Sequence, residues 1–222
     1  MNIDLDNKQV YIFDLDGTLV NSLDDLAVAT NVALEKCGYP TRSVEEIRTF
    51  VGGGITVLLE LALPEDKEVT ESEFKDLEKV FYDYYYTHLW DYSEPYEGIR
   101  EVLDLLQKED KQLYVLTNKE EKSSKAIIKH FFEDTFIEVS GAREDKKLKP
   151  APDELLRLVK QSGKDLDEVV MLGDTDSDIK VAQNAKVDVI ACAWGFRSKE
   201  NLESYDPDVI LDSPKELLDL LK

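Results

Sequence analysis

The run Val10-Tyr11-Ile12-Phe13-Asp14-Leu15-Asp16-Gly17-Thr18-Leu19 constrains this chain more than any other stretch. A short apolar segment, rich in β-branched and aromatic residues, stops at two carboxylates one residue apart, with glycine and threonine directly behind. An apolar run of that length reads as a strand buried on both faces, as in a parallel sheet. Ligands of open α/β sheets bind beyond the carboxyl ends of such strands. Two acids at that spot repel each other unless a metal ion or a shared proton offsets the charge. A lone Asp-x-Asp also fits a solvated strand-to-loop junction, so the remainder of the chain has to decide.

The remainder alternates. Short apolar segments at 112–116, 136–139, 168–172, 188–193 and 208–211 join 10–14 as predicted strands, and helical patterns fill 98–108, 121–130, 152–161, 176–186 and 213–221. This predicts βαβ units and an α/β fold: a doubly wound, mainly parallel, Rossmann-like sheet. Right-handed crossovers line the carboxyl ends of its strands along one edge. Residues 20–94 break the alternation and read as helix throughout, over 22–36, 44–51, 55–63 and 71–90. In the last of these, Phe74, Leu77, Phe81, Tyr84, Tyr85 and Leu89 recur at helical spacing, a helix-packing stripe. The expectation is a catalytic core of residues 1–19 and 95–222 with an inserted all-helical cap, hinged at Gly17-Thr18 and Ser93-Glu94-Pro95.

Charge removes whole classes of partner. Lys and Arg number 27 against 48 Asp and Glu, a net charge of −21, which argues against nucleic acid or an anionic membrane surface. No apolar stretch reaches the roughly 18 residues of a membrane span, and the N-terminus lacks the pattern of a signal peptide. A cytoplasmic protein is expected. Cys37 and Cys192 lie far apart in different predicted elements, which argues against a disulfide scaffold or a paired-cysteine zinc site.

Four polar clusters follow predicted strands or precede helices: Asp14-Leu15-Asp16-Gly17-Thr18, Thr117-Asn118, Lys149-Pro150 and Gly173-Asp174-Thr175-Asp176-Ser177-Asp178. In a doubly wound sheet they converge on one crevice. There they supply carboxylates for a hard divalent cation, a nucleophile, hydroxyl and amide donors, and one ammonium. That inventory fits phosphoryl transfer, in which positioning and charge neutralisation do most of the work. Magnesium prefers one or two carboxylates plus waters and phosphate, a need Asp14 and Asp174 would meet.

In order and spacing the four clusters resemble the motifs of the haloacid dehalogenase superfamily of phosphatases, and the resemblance covers essentially the whole chain. Glu46-Ile47-Arg48-x-x-Val51-Gly52-Gly53-Gly54, Tyr96-x-Gly98, Leu116-Thr117-Asn118-Lys119 and Trp194-Gly195 resemble signatures of its phosphoglycolate phosphatase branch. Asn21, where an acid often precedes the serine, and Glu120, where a proline often follows Asn-Lys, depart from that pattern. The resemblance implies that Asp14 attacks phosphorus and that Asp16 moves protons. It implies that Thr18, Thr117, Asn118 and Lys149 hold the substrate, and that Mg²⁺ is bound by Asp14, the backbone carbonyl of Asp16 and Asp174. Asp178 stands either as a direct ligand or as the group that orients Lys149 or a metal-bound water. Arg48 and Gly53 in the cap are the candidates for reading the organic part of a small phosphorylated metabolite, 2-phosphoglycolate first. Pyrophosphate, a sugar phosphate and the β-phosphoglucomutase reaction stay open within the superfamily. Outside phosphate-ester chemistry, a dehalogenase or a receiver-like signalling module uses related residues. The oligomeric state is not readable from the sequence.

Overall fold

In the computed structural model, which describes residues 3–222, the chain forms two compact units, residues 3–21 with 95–222, and residues 22–94. The first unit opens with β1 (Val10–Phe13), every residue of which is buried, and β2 (Val20–Asn21) follows the Asp-x-Asp turn. The second unit comprises α1 (Leu23–Lys36), α2 (Val44–Phe50), α3 (Ile55–Ala62) and α4 (Glu71–Tyr85). β3 (Glu94–Pro95) falls at the boundary, after which the first unit resumes with α5 (Ile99–Lys108), β4 (Gln112–Glu120), α6 (Glu121–Phe132) and β5 (Glu138–Ala142). It closes with α7 (Asp153–Ser162), β6 (Val169–Gly173), α8 (Asp176–Ala185), β7 (Asp188–Cys192), α9 (Lys199–Glu203), β8 (Val209–Leu211) and α10 (Pro214–Leu220).

Six strands form one sheet in the order β5-β4-β1-β6-β7-β8, with every pair parallel. The expected doubly wound α/β architecture is therefore present. From β1 the chain goes to β4 on one side and later returns to β6 on the other, so β1 stands at the switch point where such sheets bind ligands. Strand periodicity splits the core in two. Val10 and Ile12 of β1 pack with Val169 and Met171 of β6, Val189 and Ala191 of β7, and with α7 and α8 through Leu155, Leu158, Ile179 and Ala182. On the other face Phe13 meets Phe136 edge-on at 6.2 Å, and α5 and α6 lie against β4. β2 and β3 form a separate two-stranded ribbon, too short for apolar periodicity to reveal.

Within the second unit the helices pack in sequence, α1 also against α4, with Leu26, Ala33, Ile47, Leu59, Leu77, Phe81 and Tyr85 buried. Reciprocal side-chain caps set two of its helix starts, Ser43 with Glu46 at α2 and Thr70 with Glu73 at α4. Asp25, buried on α1, accepts the backbone amides of Tyr92 and Ser93 and the Ser93 hydroxyl. The expected helix over 71–90 stops at Tyr85. The Tyr84 carbonyl, which would accept from the His88 amide in a continuing helix, is taken by the Thr87 amide, the Thr87 hydroxyl and the His88 ring. Among the described residues no helix is long and apolar enough to cross a membrane, and both cysteines are free thiols.

Candidate active site

The site sits at the carboxyl edge of the sheet in the first unit. β1 delivers Asp14 and Asp16, and β6 delivers Asp174. The first turn of α8 delivers Asp178, β4 carries Thr117 and Asn118 in its last residues, and the segment ahead of α7 carries Lys149. Strand β4 runs to Glu120 rather than stopping at 116, with an irregular register between Leu116 and Glu120 that re-aims its end.

Close packing makes this arrangement possible. Gly17 adopts φ +89°, and a Cβ there would lie 2.2 Å from an Asp174 carboxylate oxygen. A Cβ on Gly195 would lie 2.3 Å from both the Asp174 Cβ and the Gly17 carbonyl. Only glycine lets the turn after β1 and the loop after β7 close on Asp174. That loop also donates the Phe196 amide to Asp174 Oδ2 at 2.8 Å, and the Trp194 indole N–H to the Thr18 carbonyl at 3.1 Å. Thr18, expected on the substrate, is fully buried and gives its hydroxyl to Asp174 Oδ1 at 3.1 Å.

Asp14, Asp174 and Asp178 each turn a carboxylate oxygen toward a common point, with these oxygens within 4.8 Å of one another. Lys149 Nζ donates to Asp14 Oδ1 at 2.7 Å, to Asp178 Oδ1 at 2.6 Å and to the Leu116 carbonyl at 3.0 Å. The three protons of an ammonium are thereby all engaged. Asp178 is held from its other side by Thr175, whose amide and hydroxyl reach Oδ2 at 3.0 and 2.7 Å in the cap of α8. Asn118 expends its side-chain amide on Lys149, accepting the Lys149 N–H at 2.8 Å and donating to its carbonyl at 3.1 Å. Thr117 accepts the Lys119 amide at 3.2 Å, which leaves its hydroxyl proton to donate.

Burial and crowding dominate the electrostatics. Desolvation, reinforced by Asp178 and Asp16 and only partly offset by Lys149, lifts Asp14 from 3.8 to about 6. Asp174 is pushed well above the usual carboxylate range by its own burial and by the charges of Asp14 and Asp178. The ammonium of Lys149 is held in its charged form by Asp14 and Asp178 against a large desolvation cost. Three buried carboxylates against one ammonium leave a deficit of positive charge. An all-oxygen donor set of that charge suits a hard divalent cation, and these three residues could hold one.

Asp16 stands apart. Its carboxylate is outside the three-acid cluster and is gripped by Lys119, whose Nζ lies 3.0 and 2.9 Å from its two oxygens. Sequence reasoning assigned Lys119 no role. The available signal was its position two residues beyond Thr117 in the same strand, where a period of two returns a side chain to the same face. Arg48 and Gly53 belong to the second unit, where Arg48 on α2 pairs with Glu45 at 3.4 Å and Gly53 lies in the turn ahead of α3.

Comparison with known proteins decides the family. The family model described as "Haloacid dehalogenase-like hydrolase" matches residues 11–192, a span that includes Asp14, Asp16, Thr117, Lys149, Asp174 and Asp178. The chain belongs to the haloacid dehalogenase-like hydrolases. Among curated members, this hydrolase is 32% identical to a phosphoglycolate phosphatase of Vibrio parahaemolyticus over 214 residues, 94% of each chain. It is 34% identical to one of Colwellia psychrerythraea over 98% of its own length and 99% of the relative's. A crystal structure of a predicted phosphoglycolate phosphatase from Haemophilus somnus superposes on this hydrolase with a TM-score of 0.91 at 32% identity, covering 97% and 99% of the two chains.

Proposed function

We propose that this hydrolase is a magnesium-dependent phosphatase that cleaves a small phosphate monoester, 2-phosphoglycolate, through a phosphoaspartyl intermediate on Asp14. The observation that carries the reading is the buried cluster itself. A nucleophile-capable carboxylate lies against a lysine and two further acids, at the switch point of the sheet, in a family of hydrolases. The relatives named phosphoglycolate phosphatase support the choice of ester.

In this reading an Asp14 oxygen attacks phosphorus, the ester P–O bond breaks, and the departing alkoxide takes a proton from Asp16. Dividing the displacement into two steps is the benefit of covalent catalysis. Asp16, now a carboxylate, takes a proton from water as that water attacks phosphorus. The Asp14–phosphorus bond breaks, inorganic phosphate leaves and both carboxyl groups return to their starting forms. Proton transfer of this kind contributes typically 10²–10⁴-fold. Lys149 shifts one of its three bonds from protein to a phosphoryl oxygen, and the Thr117 hydroxyl donates to another. Asp14, Asp174 and the Asp16 carbonyl would hold Mg²⁺, which would supply the charge neutralisation a carboxylate and a phosphate dianion need in order to meet. Asp178 keeps Lys149 aimed at Asp14.

The test is a panel of phosphorylated metabolites assayed side by side with magnesium: 2-phosphoglycolate, pyrophosphate, hexose phosphates and p-nitrophenyl phosphate. The highest kcat/KM is expected on 2-phosphoglycolate. A tenfold or greater preference for pyrophosphate or a hexose phosphate replaces the substrate, and no phosphate release from any of them overturns the reading.

A further inference from the structure

The site contains two lysines on separate acids. Lys149 serves the Asp14 cluster, whereas Lys119 spans both oxygens of Asp16. Its side chain is only 2% exposed, against 11% for Asp16. The backbone that aims it is fixed as well: the Lys119 amide donates to the Thr117 hydroxyl oxygen, and its carbonyl accepts the Ser124 hydroxyl at 3.4 Å. Gly141 of the neighbouring strand comes so close that a Cβ there would stand 2.8 Å from the Lys119 carbonyl. A surface lysine needs none of these restraints.

A two-oxygen grip fixes the χ angles of an aspartate in a way that a single bond does not. It also holds the Asp16 carboxylate beside the three-acid cluster instead of within it, where a fourth negative group would compete for the same cation. We propose that Lys119 is the positioning residue of Asp16: it sets the orientation from which Asp16 exchanges protons with leaving group and water, and it acts on the reaction through Asp16 alone. The inference rests on the phosphatase reading above.

The experiment is a double-mutant cycle across leaving groups, with kcat/KM measured for wild type, Lys119→Met, Asp16→Asn and the double variant on p-nitrophenyl phosphate and on alkyl phosphates. Lys119→Met is expected to lose on the order of 10²-fold on alkyl phosphates, where the leaving group needs a proton, and less than about tenfold on p-nitrophenyl phosphate. Lys119→Arg, which keeps the two-pronged cation, is expected to recover most of the loss. In the Asp16→Asn background, removing Lys119 is expected to change kcat/KM by less than about twofold, because the group it positions is already gone. Lys119→Met removes the ammonium from a buried carboxylate and is open to misfolding. The double variant has no such charge, so its comparison with Asp16→Asn stands by itself. Equal losses on both ester classes, or a further loss from Lys119→Met in the Asp16→Asn background, overturn the proposal, the latter by showing that Lys119 acts on the substrate directly. Absence of wild-type activity on every ester instead removes the phosphatase reading, and this inference falls with it.

Discussion

Asp14 and Asp178 share the ammonium of Lys149, with the Asp174 carboxylate beside them. A short way along the same sheet edge, Glu121 at the start of α6 is met by Lys125 at 2.6 Å, Lys146 at 2.9 Å and Arg143 at 3.4 Å. Both groups are poorly exposed, and in both desolvation opposes ionisation. They respond in opposite directions. Around Glu121 the hydrogen bonds and charges of Lys125 and Lys146 outweigh desolvation and bring the carboxyl from 4.5 down to about 2. Around Asp14 and Asp174 the balance tips the other way. A cluster whose charges close on themselves is architecture, and Lys146, bonded also to Ser140 and within 3.3 Å of Glu154, ties the 143–149 segment to α6 and α7. A cluster left short of positive charge is built to receive something, and perturbed carboxyls in a cleft are the common mark of a functional site.

The sharpest way to break this contrast is to remove the group that the deficit serves. Asp14→Asn preserves size and relieves repulsion, so the variant is expected to fold at least as stably as wild type. Its turnover is expected to fall by about 10⁴-fold or more, because the carboxylate proposed to attack phosphorus is lost. Phosphate release under single-turnover conditions together with a thermal melt checks both halves. Turnover near the wild-type rate sinks the covalent scheme.

Next in size is the effect of a cation on the fold. Acids whose folded pKa is raised bind more protons folded than unfolded, so the metal-free protein loses stability as pH climbs from the ordinary 3.8 through about 6. A cation needs those same groups ionised, and its stabilisation therefore grows across the same window. At 100 times its dissociation constant a ligand adds about 2.7 kcal/mol, roughly 5–10 °C in Tm for a chain of this size. Melting curves with magnesium and with a chelator are expected to separate by that amount near pH 7.5 and to converge near pH 4.5. An equal gap at both pH values contradicts the assignment of these carboxylates to the metal.

What the sequence made legible follows the same division. The β1 run and the clusters after it were readable because burial demands apolar runs and because acids at strand ends need a reason. The positions of Asp14, Thr117, Lys149, Asp174 and Asp178 in one crevice follow from topology alone. Bond-level assignments were not readable, since they depend on which partner a side chain meets. Thr18 turned out to serve Asp174, Asn118 the Lys149 backbone, and Lys119 the Asp16 carboxylate. The end of α4 was hidden because Thr87 and His88 stop it through side-chain bonds to one carbonyl, and composition carries no trace of that.

The smallest predicted effect tests the self-closed side of the contrast. Glu121→Gln keeps the shape of the side chain and discards the charge that Lys125, Lys146 and Arg143 surround. Hydrogen bonds to charged groups contribute about 1.5–3 kcal/mol, and the loss expected from urea titration at neutral pH is about 2 kcal/mol. The sign with pH distinguishes charge from packing. Because the folded pKa of Glu121 is depressed, its contribution is complete above the unfolded value of 4.5 and disappears as pH falls toward about 2. Wild type and Glu121→Gln are therefore expected to differ most at neutral pH and to approach one another in acid, while kcat changes by less than about threefold because Asp14, Asp16 and Lys149 keep their partners. A stability gap that stays constant from neutral pH to about pH 3 would mean that Glu121 contributes through packing, and a loss of turnover comparable to that of Asp14→Asn would erase the distinction between the two clusters.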